Sequence, residues 1–464
     1  MRRFTTSVFF LLTALLVSLP ALGQDIITTA IGGGPNGIPA IDANLYNPYG
    51  VAVDSNGNVY IASFNQNRVF KVNTSGTISV VAGSGAQGYT GDGVTGGAGL
   101  ASLYHPYAVA ADSSGNVYIA DQYNCVIRKV DTTNTITTIA GVAGQCNSTG
   151  SDLSYPSGVT LDSTAANLYI ADYNNCVVRK LVLSSKTLST VAGTLAACGY
   201  TGDGGTATTA ELYYPAAVAL DTAGDIFISD SNNYVIREVT KSSGKINTVA
   251  GNHTYGFLGD GGAATSAEMT QSYGIAVNSA GTVVTFTDYS NQRVRQFTVG
   301  GTITTVAGNG TACAGTCGEG GAATSAELYY PVGLAETSGG TFYIGNNDNY
   351  VVDSFTVSGN LNRFAGNHSY NIETLITGAP ADGVELNYPF GLAVSSTGNI
   401  YITDSHDFMV REDVKSTGLV NFFAGTGSEG YEGDGGAATS AELNYNFGVA
   451  LDSAGNVYIA TPKL

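Results

Sequence analysis

Apolar residues along the chain fall in short runs, each closed by a cluster of Gly, Ser, Asn and Thr. One kind of run is almost continuously apolar, as in GVAV (Gly50–Val53), which is the pattern of a strand buried on both faces. A turn of Ser, Asn and Gly leads to a second run, such as NVYIA (Asn58–Ala62), where alternation is visible. An Asn-rich loop precedes a third, VIRKV (Val126–Val130) or RVRQF (Arg293–Phe297). The fourth follows another turn, as in ITTIAG (Ile136–Gly141) or ITTVAG (Ile303–Gly308). The pattern predicts four short antiparallel strands, then starts again.

The repetition is regular. The first and second runs recur as GVAVDSNGNVYIAS from Gly50, AVAADSSGNVYIAD from Ala108 and GVTLDSTAANLYIAD from Gly158. They continue as AVALDTAGDIFISD from Ala217, GIAVNSAGTVVTFTD from Gly274 and GLAETSGGTFYIGN from Gly333. GLAVSSTGNIYITD from Gly391 and GVALDSAGNVYIAT from Gly448 complete the set, with starts 58, 50, 59, 57, 59, 58 and 57 residues apart. Four-stranded sheets repeated around an axis make a β-propeller, in which each blade buries its faces against its neighbours. An all-β fold of eight blades is therefore expected. Ile27–Gly32 matches a fourth strand and the chain stops after a first and second strand, so the termini are expected to share a closing blade and remove exposed edges. Seven full blades with a docked remnant is the alternative.

The units, for instance His105–Val130, resemble the NHL repeat, and the long connectors carrying GDGG resemble the subtype found in bacterial exported proteins and, more distantly, in the NHL propeller of teneurins. The resemblance spans about Ile27 to Thr461 and implies fold rather than activity, because propellers host unrelated functions.

The N-terminus changes the picture of where this domain works. Arg2 and Arg3, the apolar stretch Val8–Val17 and Ala21-Leu22-Gly23 read as a signal peptide over residues 1–23, leaving 24–464 as one exported propeller domain. The apolar stretch is too short for a spanning anchor, so membrane insertion is not expected. Of 18 Lys+Arg, removal of Arg2 and Arg3 leaves 16 against 36 Asp+Glu, a balance that excludes nucleic-acid binding. With 28 Tyr and no Trp, the composition is that of a soluble secreted or periplasmic β protein, expected to be a monomer.

All six cysteines lie in connections. Cys125 and Cys176 precede third strands; Cys146 and Cys198 follow fourth strands, and those connections emerge on one face of an up-and-down blade. Pairs Cys125–Cys146 and Cys176–Cys198, with Cys313–Cys317 closed locally, are expected as structural disulfides of an exported chain.

Four connectors carry a Gly-rich acidic motif, EGDGGAATSAEL at Glu432–Leu443 and close copies at Gly202–Leu212, Gly259–Met269 and Gly318–Leu328. Within GDGGAATSAEL the two carboxylates, Asp434 and Glu442, stand eight residues apart and supply too few oxygens for calcium, and no GK[ST] follows for a phosphate. The motif reads instead as a structural connector with capping boxes Thr208/Glu211, Thr265/Glu268, Thr324/Glu327 and Thr439/Glu442, each starting a short helical turn with the next Leu or Met facing the core. Asp121, Asp172, Asp230, Asp288 and Asp404 end second strands, and Arg128, Arg179, Arg237, Arg295 and Arg411 follow at a fixed offset of seven, which predicts a repeated structural contact. His105, His253, His368 and His406 form no set of zinc ligands.

No catalytic or metal-ligating residue and no cofactor is therefore assigned; calcium in the connectors and zinc at the axis are the alternatives. The expected role is a non-catalytic scaffold that presents loops to an extracellular protein or glycan. The other function considered is a propeller enzyme, a metal-dependent lyase or lactone hydrolase. The contact residues are expected in the loops between second and third strands: Gln122, Tyr123, Tyr173, Asn174, Tyr289, Asn347, Tyr350 and His406, since Tyr and Asn join flat apolar area to hydrogen bonding.

Overall fold

The computed structural model describes residues 36–146, 152–313, 317–366, 379–380, 386, 389–430, 432–444, 448–451 and 455–460. The expected signal peptide and the strand Ile27–Gly32 lie outside them. Eight sheets occur, one for each copy of the repeat. Seven have four antiparallel strands in sequence order, and those of blades 1 and 7 gain a short fifth strand at the outer edge. In blade 1 the strands are Pro48–Val53, Val59–Ser63, Arg68–Val72 and Thr77–Ala82. Blades 2 to 7 span residues 106–141, 156–192, 215–250, 275–307, 331–365 and 389–424. Blade 8 is a pair, Gly448–Leu451 with Val457–Ala460. The elements between strands are three-residue 3-10 turns, and among the described residues no helix is long and apolar enough to cross a membrane.

The count of eight agrees with the sequence; the strand expected to share blade 8 lies outside the described residues, and the described seam joins blades 6 and 1. The first strands of blades 1 to 6 line one axial cavity, and that of blade 6 packs directly on that of blade 1: a Cβ on Gly333 would run into Tyr49 O and Gly50. A backbone bond completes the seam. Gly251 N donates to Ala264 O and Gly308 N to Ala323 O, each at 2.9 Å, tying a fourth strand to the connector that follows. Gly366 N makes the same bond, 2.9 Å, to Ala40 O of the N-terminal segment. That segment, with Ile38–Pro39 paired to Thr77 and Ile78, thus serves as the connector of blade 1 and receives the end of blade 6. Blades 7 and 8 pack on each other outside this ring, which leaves Leu392 and Val394 of the blade 7 first strand exposed at 63% and 57%. Among the described residues blade 8 pairs with no other strand.

The connectors are not helical starts. The turns Ala207–Thr209, Ala264–Ser266, Ala323–Ser325 and Ala438–Ser440 begin one residue before the expected capping threonine, and their N-caps make no side-chain cap bond. The backbone holds them instead. Ala264 donates to Gly301 O of the next blade while its carbonyl accepts Gly251 N of the previous one, so the turn is a staple between two blades. Leu212, Met269 and Leu328 after each Glu are fully buried between sheets, as expected. Each staple requires the chain to reverse tightly after the fourth strand. Gly251 does so at φ +87°, where any Cβ would strike Tyr234 O.

The acidic residue of the connector has a specific partner. Arg295 sits in the third strand at a β-bulge against the fourth, a position that re-aims its side chain toward the connector. Its guanidinium, fully buried, lies 3.2 Å from Asp288 and 2.7 Å from Asp260 of the GDGG loop. It also donates to Glu268 O at 2.7 Å and stands 5.0 Å from the Phe257 ring centre. Arg128 repeats the node with Asp121, Asp92 and Tyr89, and Arg237 with Asp230, Asp203 and Tyr200. In blades 2, 4 and 5 the seven-residue Asp–Arg offset therefore marks half of a three-part node whose other acid comes from the incoming connector, whereas Arg179 bonds Thr190 Oγ1 and Arg411 pairs with Asp404 and Asp407. Blade 1 replaces the pair with Ser63 and Phe70.

Blade 6 inverts it. Asn346 stands for the acid and Asp353 for the arginine, joined by a 2.9 Å bond from Asn346 Nδ2. Burial pushes the Asp353 carboxyl up to about 7; the Asn346 bond opposes the rise and Glu319 adds to it. A folded value above the ordinary one means that its stabilising contribution is complete below about pH 4 and is lost as the pH rises through 7.

Two outcomes follow from the node. Arg295→Met, which leaves Asp288 buried without its cation, should lower unfolding stability by about 3–5 kcal/mol in guanidinium denaturation. Asp353→Asn should be more stable than the natural chain at pH 8, by at most about 4 kcal/mol, with the gap in melting temperature closing toward pH 4.

Candidate functional site

The node sets where the aromatic residues go. In blades 2 to 5 the second-strand acid turns Oδ1 to the connector just before its own blade's first strand, and in blades 2, 4 and 5 its Oδ2 faces the arginine. Asp121 Oδ1 accepts Tyr104 N at 2.7 Å, Asp172 accepts Ser154 N at 2.7 Å, and Asp230 accepts Tyr213 N at 2.6 Å. Asn346 Oδ1 does the same for Tyr329 N at 2.6 Å, without charge. The following residue precedes proline and adopts positive φ in five connectors, at Asn47, His105, Tyr155, Tyr214 and Tyr330, which turns its side chain over the face that also carries the loops between second and third strands.

Three parallel stacks result. Phe64 lies on His105 at 4.1 Å and 9°, Tyr173 on Tyr214 at 4.7 Å and 7°, and Tyr289 on Tyr330 at 4.6 Å and 16°. They bridge blades 1 and 2, 3 and 4, and 5 and 6, so stacked junctions alternate with junctions that are not. At the blade 6 to blade 1 seam the equivalent contact is polar: Asn47 donates to Asn347 Oδ1 at 3.0 Å. Nearer the axis, Tyr49, Tyr107 and Tyr273 line a pocket of about 60 Å³. Its floor is a neck where Gly50, Gly158, Gly274 and Gly333 let the first strands touch.

Burial pushes the Tyr49 and Tyr273 hydroxyls up to about 12, Asp348 adding to the rise at Tyr49. Tyr107, Tyr173 and Tyr289 are likewise raised by burial. All five remain neutral phenols at physiological pH and can donate hydrogen bonds. Asp348 is half-buried beside them, accepts Asn347 Nδ2 at 2.8 Å, and is itself raised by burial.

The expected contact residues separate on this face. Tyr123 is exposed and ringed by Tyr104, His105, Tyr155 and Phe64, all within 6.1 Å. Tyr173, Tyr289 and Asn347 take part in the junctions just described, and Asn174 is half-buried beside Tyr173. Gln122 is buried, and Tyr350 is set outward, near Tyr46 at 5.8 Å. His406 belongs to blade 7, outside the six-blade ring. The stacking partners His105, Tyr214 and Tyr330 escape a reading of single loops. Their signal is a constant spacing of 41 residues from Phe64, Tyr173 and Tyr289.

The disulfides close the loops as expected, Cys125–Cys146, Cys176–Cys198 and Cys313–Cys317, with Cα separations of 5.3, 5.3 and 5.4 Å. His105 Nδ1 meets Phe64 O and His253 Nδ1 meets Asn233 O, so both rings serve the fold; His368 lies outside the described residues. Among the described residues, no group of three or more His, Cys, Asp or Glu could hold a metal ion.

A family model described as Beta-propeller repeat matches residues 33–63. Teneurin-1 of Homo sapiens is 27% identical over 279 residues, 51% of this chain and 10% of that protein. NHL repeat-containing protein 2 of Bos taurus is 38% identical over 96 residues, 19% of this chain and 13% of its own length. The chain thus matches about a tenth of each relative's length, and the similarity lies in NHL-type propeller repeats. Two solved structures also align. An auxiliary nutrient binding protein from Bacteroides thetaiotaomicron VPI-5482 has 13% identity and a TM-score of 0.47, over 70% of this chain and 75% of that one. A virginiamycin B lyase from Staphylococcus aureus has 14% identity and a TM-score of 0.42, over 78% and 94%.

In an alkaline titration followed by phenolate absorbance, Tyr49 and Tyr273 should ionise in a late phase near pH 12, separate from an earlier one. Tyr273→Phe should remove one phenol from the late phase and none from the early one.

Proposed function

We propose that this β-propeller repeat protein is an exported, non-catalytic scaffold that binds an extracellular glycan or protein through its tyrosine face. The observation that carries the proposal is the set of three interblade stacks around the axial tyrosines. Stacked rings are already ordered, so a ligand that lies on them gains flat apolar contact and phenol hydrogen bonds at little entropic cost. The disulfides in the connections add support: Cys125–Cys146 and Cys176–Cys198 brace loops on the same side and suit an oxidising compartment. The strong acidic excess disfavours nucleic acid and anionic lipid as partners.

The test is capture of ligand from a glycan array and from the surface and medium of the producing cells, with Tyr173→Ala and Tyr289→Ala as variants. Both should keep the natural melting temperature within a few degrees and lose at least about ten-fold in affinity, or about 1.4 kcal/mol. Undiminished binding by both variants overturns the reading. A stoichiometric metal whose chelation abolishes a lyase or lactonase activity would establish the enzyme instead.

A further inference from the structure

The opposite end of the axis carries a second cavity, about 430 Å³, below the glycine neck and open toward the turns between first and second strands. Its wall comes from the same position in each of six first strands. In strand register that position is Val53, Ala111, Leu161, Leu220, Val277 and, in blade 6, Glu336. Five are apolar and the sixth is an acid.

Glu336 is not a displaced turn residue. The turn acceptors stand one position later. Asp54 takes the amides of Asn56 and Asn58 at 2.9 Å, and Asp112 and Asp162 repeat this. In blade 6 Thr337 performs that task by accepting Thr341 N at 3.0 Å. The aspartates are consumed by their turns, whereas among the described residues no hydrogen bond or ion pair reaches the Glu336 carboxyl, whose value is raised by burial alone. The cavity lining contains Asp54, Asp112, Asp162 and Glu336 and no Lys, Arg or His.

We propose that this cavity binds an organic ammonium ion on an apolar stem, such as an alkylammonium group or a lysine side chain. The stem lies against the apolar ring, and the cation pairs with Glu336. Glu336 is half-buried beside the aliphatic ring with no cation among the lining residues, so an ammonium group that reaches it gains a charge partner that the protein itself does not supply. The aliphatic ring favours a ligand with an alkyl stem over a bare ion, and the surrounding aspartates disfavour carboxylate ligands. This site is separate from the tyrosine face and does not depend on what binds there.

The experiment is isothermal titration of the whole mature chain with n-octylammonium, n-octanol, n-octanoate and Ca²⁺. Octylammonium should bind at least ten-fold more tightly than octanol, octanoate should not bind, and Ca²⁺ should give no heat. Glu336→Gln should reduce octylammonium to the level of octanol, and Glu336→Asp should restore part of the difference. Tyr173→Ala should leave it unchanged, so failure at one face is distinguishable from failure at the other. Equal binding of octanol and octylammonium, an unaffected Glu336→Gln variant that melts normally, or Ca²⁺ binding in place of the amine overturns the proposal.

Discussion

In blades 2, 4 and 5 a buried guanidinium is the constraint on which the joint between sheet and connector depends. An arginine inside a β-sheet protein must meet its donors with acceptors that its own strand cannot supply. Here the second strand supplies one carboxylate and the incoming connector another, with backbone carbonyls and an aromatic face completing the shell. The connector cannot drift, because its aspartate is held from below by the arginine and its backbone is held on both sides by neighbouring blades. Its last residues are then fixed by the second oxygen of the strand-two acid. The placement of the tyrosines is the far end of that chain of contacts.

The two ends of the axis consequently differ in chemistry although the same six strands form both. Toward the connectors, Tyr49, Tyr107 and Tyr273 stand at the start of three first strands beside the three stacked pairs, and the surface is flat and rich in hydroxyl donors. Toward the turns, the strands end in aliphatic residues above a rim of aspartates already occupied by their turns. The glycine neck separates the two. A molecule suited to one end is unsuited to the other.

Much of this was legible in the sequence for a simple reason: repetition puts eight noisy copies of one signal in register. Strand order, the cysteine partners and the Asp121–Arg128 type of contact all follow from comparing copies. The capping box at Thr265 and Glu268 misled because its spacing is right while the turn starts at Ala264, where backbone partners on two blades outcompete a side-chain cap. The stacks were hidden because Phe64 and His105 lie in different units and are unlike in type. Glu336 was hidden differently: GLAET reads like GVAVD with the acid one place early, and only strand pairing shows that the shift moves it from turn to cavity. Closure was illegible because residues 37–47 look like any other connector; nothing local says which blade will donate to Ala40.

The connector has one consequence for how such a chain can change length. Asp260 precedes Arg295 within one copy, so a segment running from connector to fourth strand carries both halves of its ion pair. Its dependence on the preceding segment is a backbone contact, Gly251 to Ala264, that any copy can provide. Duplication or loss of a whole copy therefore leaves no orphaned charge behind, and the Gly366–Ala40 seam shows that the joint need not even be covalently continuous. A change in length by whole copies thus keeps the ion pairs, while the alternation of stacked and unstacked junctions and the number of first strands around the axis set its limit.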